Sequence, residues 1–361
     1  MVSTYDIAVL KGDGIGPDVV DEALKVLDAA VSGGGPALVF EEYPSGADCY
    51  VETGDPLPEA TVDACRSAAA VLLGAMGHPD IRWPDGTEIT PQVELRFKLD
   101  LYAGVRPIYL YAAHHTPLKD LGKGDIDLVV LRESTEGLFA SMNGGIELRG
   151  ETAVDSMVIT RFGTERVARY AFELARQRHH ERGGGQAVVT CVDKANIFRS
   201  MAFFRSVFND VALQFEDVEP GYEYVDAMAF HLVERPQVYD VLVMENMFGD
   251  IISDLAAGLI GGMGMAPSGD IGDESAIFQP SHGTAPDIAG KGIANPVGAI
   301  LSAAMMLGWL GHQHDDESAT RAGERIQKAV GEVMADPAAA TPDLKGKMTT
   351  SELGSAIAAA V

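Results

Sequence analysis

Short apolar runs alternate with helical patterns along the first part of the chain, and this alternation limits the folds open to it. Strands are predicted at residues 5–10, 37–41 and 70–73, with helices after the first strand and at residues 59–69. Strands separated by helices favour a mostly parallel sheet with helices on its faces. The sequence therefore predicts an α/β protein.

Length and composition limit the number of domains and the kinds of partner. A chain of 361 residues has room for about two domains. It carries 53 acidic against 27 basic residues, a net charge of −26, which argues against nucleic acid or an anionic membrane surface as a partner. Cys49, Cys65 and Cys191 lie far apart and form no CxxC pair, so neither a disulfide framework nor a zinc site is indicated.

The sequence contains no recognisable targeting or membrane segment. The chain enters its first strand at residue 5 without the pattern of a signal peptide. No apolar run approaches the roughly 20 residues needed to span a bilayer. We therefore expect a cytoplasmic globular protein with no membrane partner.

A glycine-rich turn, GDGIGP at residues 12–17, joins the first strand to the first helix. Pro17 suits the first turn of that helix. The dinucleotide fingerprint requires GxGxxG and an acidic residue roughly 20 positions later, and this motif departs from it. The motif indicates a tight strand-to-helix turn that faces a ligand.

Two aspartates follow a buried strand late in the chain. The apolar run at residues 241–244 predicts the strand, and the helix after it carries Asp250 and Asp254 near its start. Side chains four residues apart lie on one helix face, close enough to share one cation. The alternative is that one aspartate caps the helix and both favour its positive end.

Three arginines, Arg96, Arg106 and Arg132, lie near the ends of neighbouring predicted elements. Arginine binds carboxylates through two parallel hydrogen bonds, so this set indicates a dicarboxylate clamp. A strand is also predicted at residues 213–218, shortly before Asp226. The further polar residues of the predicted pocket are Lys194, Asp226, Asp250 and Asp254.

Taken together, these segments resemble the β-decarboxylating dehydrogenases, the family of 3-isopropylmalate, isocitrate, homoisocitrate, tartrate and D-malate dehydrogenases. The resemblance covers almost the whole chain in the family's order. The matching segments are GDGIGP (12–17), LRFKLDLYAGVRP (95–107), LRESTEGLF (131–139), VDKANIF (192–198), YVDAMA (224–229), NMFGDIISDLA (246–256) and HGTAPDIAGKGIANP (282–296).

The resemblance implies an α/β isopropylmalate dehydrogenase-like fold of two domains, which is not a Rossmann fold and has a mixed sheet in each domain. Residues 1–101 with 258–361 would form the first domain, on the cofactor side, and residues 102–257 the second. The second domain would form a homodimer. Lys194 and Asp226 of each subunit would then act in trans, in the partner's active site.

The resemblance also implies the chemistry. Arg96, Arg106 and Arg132 match the residues that clamp the malate carboxylates. Asp226, Asp250 and Asp254 match the ligands of Mg²⁺ or Mn²⁺, which prefer hard oxygen donors. Lys194 would assist deprotonation of the C2 hydroxyl. Lys194 and Asp226 are the predicted catalytic residues. Hydride would pass to a nicotinamide before the β-carboxylate leaves as CO₂.

A second loop matches the family's cofactor-binding segment. The residues predicted to bind the cofactor are His282, Gly283, Thr284, Ala285, Asp287 and Asn295. Members that use NAD carry an acid at the position of Asp287, whereas members that use NADP carry Lys-Tyr there. A carboxylate hydrogen-bonds the ribose hydroxyls and repels a 2′-phosphate, so NAD is the predicted cofactor. Without the family pattern, the loop is equally well explained as a glycine-rich turn.

Two departures from the family pattern concern the substrate. Phe139 stands where many members carry a tyrosine that is thought to protonate the enolate, and phenylalanine has no proton to give. Water, or another tyrosine such as Tyr109 or Tyr111, would replace it. Alternatively, the substrate needs less help, or the enzyme stops earlier in the sequence of steps. The turn before Arg96 holds Thr90, Gln92, Val93 and Glu94 instead of the leucine pair of 3-isopropylmalate enzymes.

The predicted reaction is NAD- and metal-dependent oxidative decarboxylation of a 3-substituted (2R)-malate, of the 3-isopropylmalate type used in leucine biosynthesis. The tail at residues 290–307 favours that branch, whereas Thr90 and Gln92 favour a more polar C3 substituent. The same chemistry on tartrate, D-malate, 3-methylmalate, isocitrate or homoisocitrate is one alternative. A non-catalytic regulatory paralogue is the other.

Overall fold

The computed structural model describes residues 3–142, 144–185 and 187–361, and strands and helices alternate over most of them. The strands are β1 (Thr4–Gly12), β2 (Ala37–Glu42), β3 (Ala70–Ala75), β4 (Ala103–Tyr109), β5 (Asp127–Glu133), β6 (Ile146–Leu148), β7 (Thr152–Val154), β8 (Val188–Asp193), β9 (Glu219–Tyr224), β10 (Val241–Met244), β11 (Pro267–Ile271) and β12 (Ala276–Pro280). The α-helices are α1 (Gly16–Ser32), α2 (Ala47–Thr53), α3 (Glu59–Ser67), α4 (Pro91–Lys98), α5 (Arg161–Glu181), α6 (Arg199–Ala212), α7 (Val225–Glu234), α8 (Asn246–Gly258), α9 (Val297–Gln313), α10 (Glu317–Val333) and α11 (Thr350–Ala360).

Ten strands of the described chain form one sheet, in the order β2-β1-β3-β12-β11-β4-β5-β10-β8-β9. Most neighbours are parallel, but β11 runs antiparallel to both β12 and β4, and β4 runs antiparallel to β5. The predicted α/β class is confirmed, and each half of the sheet is mixed. The two halves are continuous, so the ten strands form a single sheet.

The seam between the halves is the pairing of β11 with β4. Three residue pairs join the strands, Gly269 with Val105, Asp270 with Gly104 and Ile271 with Ala103. A Cβ atom at Gly104 would lie 3.3 Å from Oδ1 of Asp270 on β11, closer than most Cβ contacts. Glycine at position 104 therefore leaves room for the Asp270 side chain beside β4.

The core lies between the sheet and its helices. Val19, Val20, Ala23 and Leu27 of α1 are fully buried, which confirms the apolar stripe of that helix. The buried helix α9 packs against α1, α10, β11 and β12. No helix of the described chain is both long and apolar enough to cross a membrane.

The predicted strand at residues 213–218 is wrong. Helix α6 ends at Ala212, a turn follows, and the strand is β9, beginning at Glu219. The turn places Phe215 and Val218 in the core. Buried apolar residues in a turn therefore resemble, in sequence, those of a buried strand. The predicted domain boundaries lie directly before β4 and at the end of α8 and stay a prediction. Met1 and Val2 of the predicted first domain lie outside the described residues.

Candidate active site

A cavity of about 240 Å³ opens beside the seam, and all three predicted arginines line it. Arg96 comes from α4, Arg106 from β4 and Arg132 from β5. Their exposed fractions are only 6%, 7% and 2%. Buried arginines in a polar cavity require anionic partners, which makes this the candidate substrate site.

Arg96 is fixed to strand β11, on one side of the seam. Its Nε donates to Oδ2 of Asp270 on β11 at 3.0 Å, and both side chains are buried. Gln279 Nε2 donates to the same oxygen at 2.8 Å. These contacts occupy Nε and orient the guanidinium group in the cavity wall.

Helix α8 anchors the other two arginines. Arg106 Nη1 donates to the hydroxyl of Ser253 at 2.8 Å, and Arg132 Nε donates to Oδ1 of Asn246 at 2.8 Å. Arg132 also pairs with Asp250 through Nη1. Each guanidinium group is therefore positioned before any ligand binds.

The arginines repel one another. Burial lowers the pKa of both Arg106 and Arg132, and the charge of Arg96 lowers each further, while nearby aspartates oppose the effect. The three guanidinium groups are paired with three carboxylates, those of Asp270, Asp250 and Asp254. A ligand with two carboxylates would bind through further N–H groups of the same arginines.

Asp250 and Asp254 lie four residues apart on α8, as predicted, and their side chains are 44% and 48% exposed. Asp250 lines the arginine cavity. Arg106 Nη1 lies 3.4 Å from Asp254 Oδ1, and its charge lowers the pKa of the Asp254 carboxyl. Burial has the larger effect, so the pKa of this carboxyl is raised. Two accessible carboxylates on one helix face fit a divalent cation, but they form an incomplete ligand set.

Lys194 and Asp226 form a separate pair. The Lys194 Nζ lies 2.5 Å from Asp226 Oδ1, and this contact lowers the pKa of the carboxyl. The described residues contain no group of three acidic, histidine or cysteine side chains that could hold a metal. One protomer therefore does not bring Asp226 together with Asp250 and Asp254.

The predicted cofactor loop borders the arginine cavity through His282 and Gly283. Ring atom Nε2 of His282 is buried without a hydrogen-bond partner, while Nδ1 lies 2.8 Å from the Gly283 carbonyl. A Cβ at Gly283 would meet no atom within 4 Å, and Asp287 is exposed. Open space, an unpartnered ring nitrogen and an accessible carboxylate fit a nucleotide cofactor.

The turn of residues 12–17 supports that loop. The Ile15 backbone N–H donates to the Thr284 carbonyl at 2.9 Å, and Ala285 has a left-handed backbone with φ +39°. The carboxylate of Asp13 is 2% exposed and accepts from the backbone of Gly77 at 2.7 Å. The Asp13 backbone N–H donates to the carbonyl of Ala75 at 2.7 Å, and Ala75 lines the arginine cavity. The turn thus contacts both the cofactor loop and the wall of that cavity, and its predicted contact with a ligand stays a prediction.

Asn295 is buried and engaged within the protein. Its Nδ2 donates to Asp343 Oδ2 at 3.0 Å, and its Oδ1 accepts from the Val297 N–H at 3.1 Å. Here its amide holds the start of α9 and the segment containing Asp343. Its predicted contact with the cofactor stays a prediction.

The two residues predicted before Arg96 face different spaces. Gln92 lines the arginine cavity, and its Oε1 is buried without a partner. Thr90 lines a neighbouring cavity instead. A ligand that fills the arginine cavity can therefore donate a hydrogen bond to Gln92.

Phe139 lies in the arginine cavity, and neither proposed replacement tyrosine does. Tyr109 and Tyr111 line a different cavity, between Pro107 and Leu301. Arg106 and Tyr109 are three residues apart on β4, so their side chains leave opposite faces of the sheet. The suggestion that either tyrosine serves this site is wrong for the protomer.

Sequence reasoning missed four residues that position the site, and two had a detectable signal. Asn246 and Ser253 share the helix face of Asp250, at helical spacing within the recognised segment. Asp270 and Asp343 had no such signal, because each meets its partner only through tertiary pairing.

Comparison with known proteins agrees with this geometry. A family model described as isocitrate/isopropylmalate dehydrogenase matches residues 6–357. A Methanocaldococcus jannaschii 3-isopropylmalate/3-methylmalate dehydrogenase is 41% identical over 98% of both chains. An Aquifex aeolicus 3-isopropylmalate dehydrogenase is 40% identical over 94% of this chain and 91% of its own. The crystal structure of a Methylococcus capsulatus isocitrate dehydrogenase is similar, with a TM-score of 0.86, 37% identity and 99% of each chain covered.

The chain belongs to the isocitrate/isopropylmalate dehydrogenase family. Within it, the chain is nearest to the 3-isopropylmalate dehydrogenase branch, and it is a dehydrogenase that acts on a CH–OH group. The predicted family, branch and enzyme class are confirmed.

Proposed function

We propose that the protein catalyses NAD- and divalent-metal-dependent oxidative decarboxylation of a 3-substituted (2R)-malate of the 3-isopropylmalate type, in leucine biosynthesis. The observation that carries the proposal is the cavity in which three buried arginines meet the half-exposed Asp250. The arginines match the two carboxylates of a malate. The names of the relatives support the same substrate class.

The arginines would hold the substrate through the N–H groups that the protein leaves unused. Among the described residues, Arg96 uses only Nε, to Asp270, and Arg106 uses Nη1, to Ser253 and Asp254. The remaining N–H groups are available for bidentate contacts with carboxylates. The unpartnered Oε1 of Gln92 can accept a hydrogen bond from a ligand hydroxyl or amide.

Asp250 and Asp254 would hold Mg²⁺ or Mn²⁺, with Asp226 of a second subunit as the third carboxylate. Such a cation, when bound, polarises the C2 oxygen and stabilises the negative charge that develops as CO₂ leaves. Lys194, which lies beside Asp226, would assist the deprotonation of the C2 hydroxyl as hydride passes to NAD. The exposed Asp287 would bind the ribose hydroxyls and disfavour NADP.

Two exposed apolar surfaces support a homodimer with shared active sites. On α7 and α8, Phe230 and Ile251 are 62% and 58% exposed. The hairpin β6–β7 exposes Ile146 and Leu148 by 58% and 55%. Apolar side chains exposed in groups mark interaction surfaces. Helix α7 also carries Asp226. A partner subunit bound at this surface would therefore have its Asp250 close to Lys194 and Asp226 of this chain.

We also place the enzyme in the cytoplasm. Its three cysteines are free thiols, and all are buried. Unpaired cysteines are typical of a reducing compartment.

The test is NADH formation with Mn²⁺ across 3-isopropylmalate, 3-methylmalate, tartrate, D-malate, isocitrate and homoisocitrate. We expect turnover of 3-isopropylmalate that EDTA abolishes and added Mn²⁺ restores. Preference for tartrate would show that Gln92 selects a polar C3 substituent. No turnover of any substrate would contradict the proposal and favour a regulatory paralogue.

A further inference from the structure

The hydroxyl of Ser268 is a polar group without a partner in the wall of the arginine cavity. Ser268 is only 1% exposed, and its Oγ has no hydrogen-bond partner among the described residues. Buried side-chain polar atoms without a partner are rare in native proteins, because each has lost its contact with water. Nine described residues carry such an atom, and three of them, Gln92, Ser268 and His282, line this cavity. The missing partners are therefore concentrated where a ligand would bind.

Ser268 belongs to a row of polar side chains that crosses three strands. On β12 its paired residue is Gln279. On the other side of β11, the ladder with β4 pairs Gly269 with Val105, so the next opposite pair is Ser268 with Arg106. Opposite residues of adjacent strands share one face of the sheet. Gln279, Ser268 and Arg106 all line the arginine cavity, so the hydroxyl lies between an amide and a guanidinium group.

The surrounding protein gives this hydroxyl no acceptor. The backbone N–H of Ser268 donates to Ser302 Oγ at 3.2 Å, so the unmet hydrogen bond belongs to the side chain alone. The carboxylate of Asp270, two residues along β11, accepts from Arg96 and Gln279 instead. The arginines of the cavity carry donors only. An acceptor for the hydroxyl must therefore arrive with a ligand, and beside three guanidinium groups that ligand is an anion.

We propose that Ser268 is a substrate-binding residue whose hydroxyl donates a hydrogen bond to a malate carboxylate held by Arg96 and Arg106. The inference rests on the proposed function, because the arginines must hold the diacid for its carboxylate to meet the hydroxyl. Ser268 belongs to β11 and Arg106 to β4. A carboxylate that contacts both side chains is therefore bound from both halves of the sheet. The serine supplies a further donor without adding charge to the site.

The test is steady-state kinetics of Ser268→Ala with 3-isopropylmalate, NAD and Mn²⁺. A hydrogen bond made equally in the ground state and the transition state affects KM and leaves kcat unchanged. We expect the KM for 3-isopropylmalate to rise at least about tenfold, because the lost hydrogen bond is to a charged group. The KM for NAD should not change. An unchanged KM for 3-isopropylmalate, or a rise confined to the KM for NAD, would overturn the inference.

Ser45→Ala is the matched control. The Ser45 hydroxyl is also buried without a partner, but Ser45 does not line the arginine cavity. Both KM values of this variant should equal those of wild type. An equal rise in the KM for 3-isopropylmalate in Ser45→Ala and Ser268→Ala would trace the effect to the loss of any buried hydroxyl and overturn the inference.

The stability of the ligand-free protein separates binding from a structural role. Removing a buried hydroxyl that has no partner should leave Tm unchanged or raise it. Ser302→Ala is the comparison, because Ser302 Oγ donates to the Gln279 carbonyl at 2.8 Å. That variant should lose about 1–3 °C in Tm at the same protein concentration. A similar loss in Ser268→Ala would show that its hydroxyl has a structural partner and would overturn the inference.

The two proposals fail differently. If wild type turns over 3-isopropylmalate and Ser268→Ala does so with the same KM, the proposed function stands and the inference is overturned. If wild type turns over no malate, the proposed function fails and the inference fails with it.

Discussion

The guanidinium carbon of Arg132 lies 4.8 Å from the centroid of the Phe139 ring. This contact fixes an aromatic ring without an exchangeable proton at the wall of the substrate cavity. We expect Phe139→Tyr to raise kcat for 3-isopropylmalate about tenfold, because a phenol there can protonate the carbon left by decarboxylation. Steady-state kinetics measure the change, with Phe139→Leu as a control that also lacks a proton. A tyrosine variant no faster than the leucine variant would contradict this role.

Shared active sites can be detected by mixing two inactive variants. Lys194→Ala and Asp250→Ala should each lose at least about 100-fold in kcat as homodimers. In a mixed dimer, one site combines the intact Lys194 of one chain with the intact Asp250 of the other. Random pairing should therefore restore about a quarter of wild-type activity. Co-expressed and purified mixtures without activity would mean that both residues act within one chain.

Asp287 is expected to determine the choice of cofactor. Its exposed carboxylate should disfavour the 2′-phosphate of NADP, giving at least about 100-fold preference for NAD in kcat/KM. We expect Asp287→Asn to raise kcat/KM for NADP about tenfold, because the repulsion is removed. Asp273→Asn, which also removes one negative charge but lies outside this loop, is the control. Equal gains in both variants would trace the effect to net charge alone.

His115 is expected to make the protein sensitive to acid. Burial lowers the pKa of this 5% exposed histidine to about 4, and neither ring nitrogen has a hydrogen-bond partner. The unfolded chain takes up a proton near pH 6.5, whereas the folded chain does so only near pH 4. Proton uptake therefore favours the unfolded state in this window, and the free energy of unfolding decreases as the pH falls.

The measurement compares wild type with His115→Phe, which keeps an aromatic ring against His114. Between pH 7.5 and pH 4, wild type should lose about 3 kcal/mol more unfolding free energy than the variant. Urea unfolding at one protein concentration gives both values. Parallel pH profiles of the two proteins would show that His115 is already solvated and titrates normally.

Local sequence patterns predicted most of the fold, and they failed where tertiary contacts determine the structure. The strand-forming runs at residues 5–10 and 241–244 predicted β1 and β10, because a buried parallel strand has a recognisable apolar sequence. The run at residues 213–218 misled, since Phe215 and Val218 are buried from a turn. The pairing of β11 with β4 has no local signature, so the continuity of the sheet was not predictable.

The residues of the candidate site likewise divide into those that the sequence predicts and those that it does not. The arginines and Asp250 were predictable because each stands in a recognised segment, and the cavity brings them together. Asp270 was not, because its role depends on a hydrogen bond to Arg96 across 174 positions of sequence. In the proposed homodimer, the position of Asp226 relative to Asp250 would depend on a second chain, which no pattern within one chain specifies.

The distances between the three arginine side chains depend on how the two halves of the sheet are oriented about the seam between β11 and β4. Arg96 is tied to Asp270 on one side of the seam, whereas Arg106 and Arg132 belong to strands on the other. Three residue pairs form the ladder between β11 and β4, and a small rotation about them would alter the separation of the cationic groups. A bound diacid has a fixed length between its carboxylates. Its length therefore sets the angle between the two halves, and ligands of different length would hold the sheet at different twists.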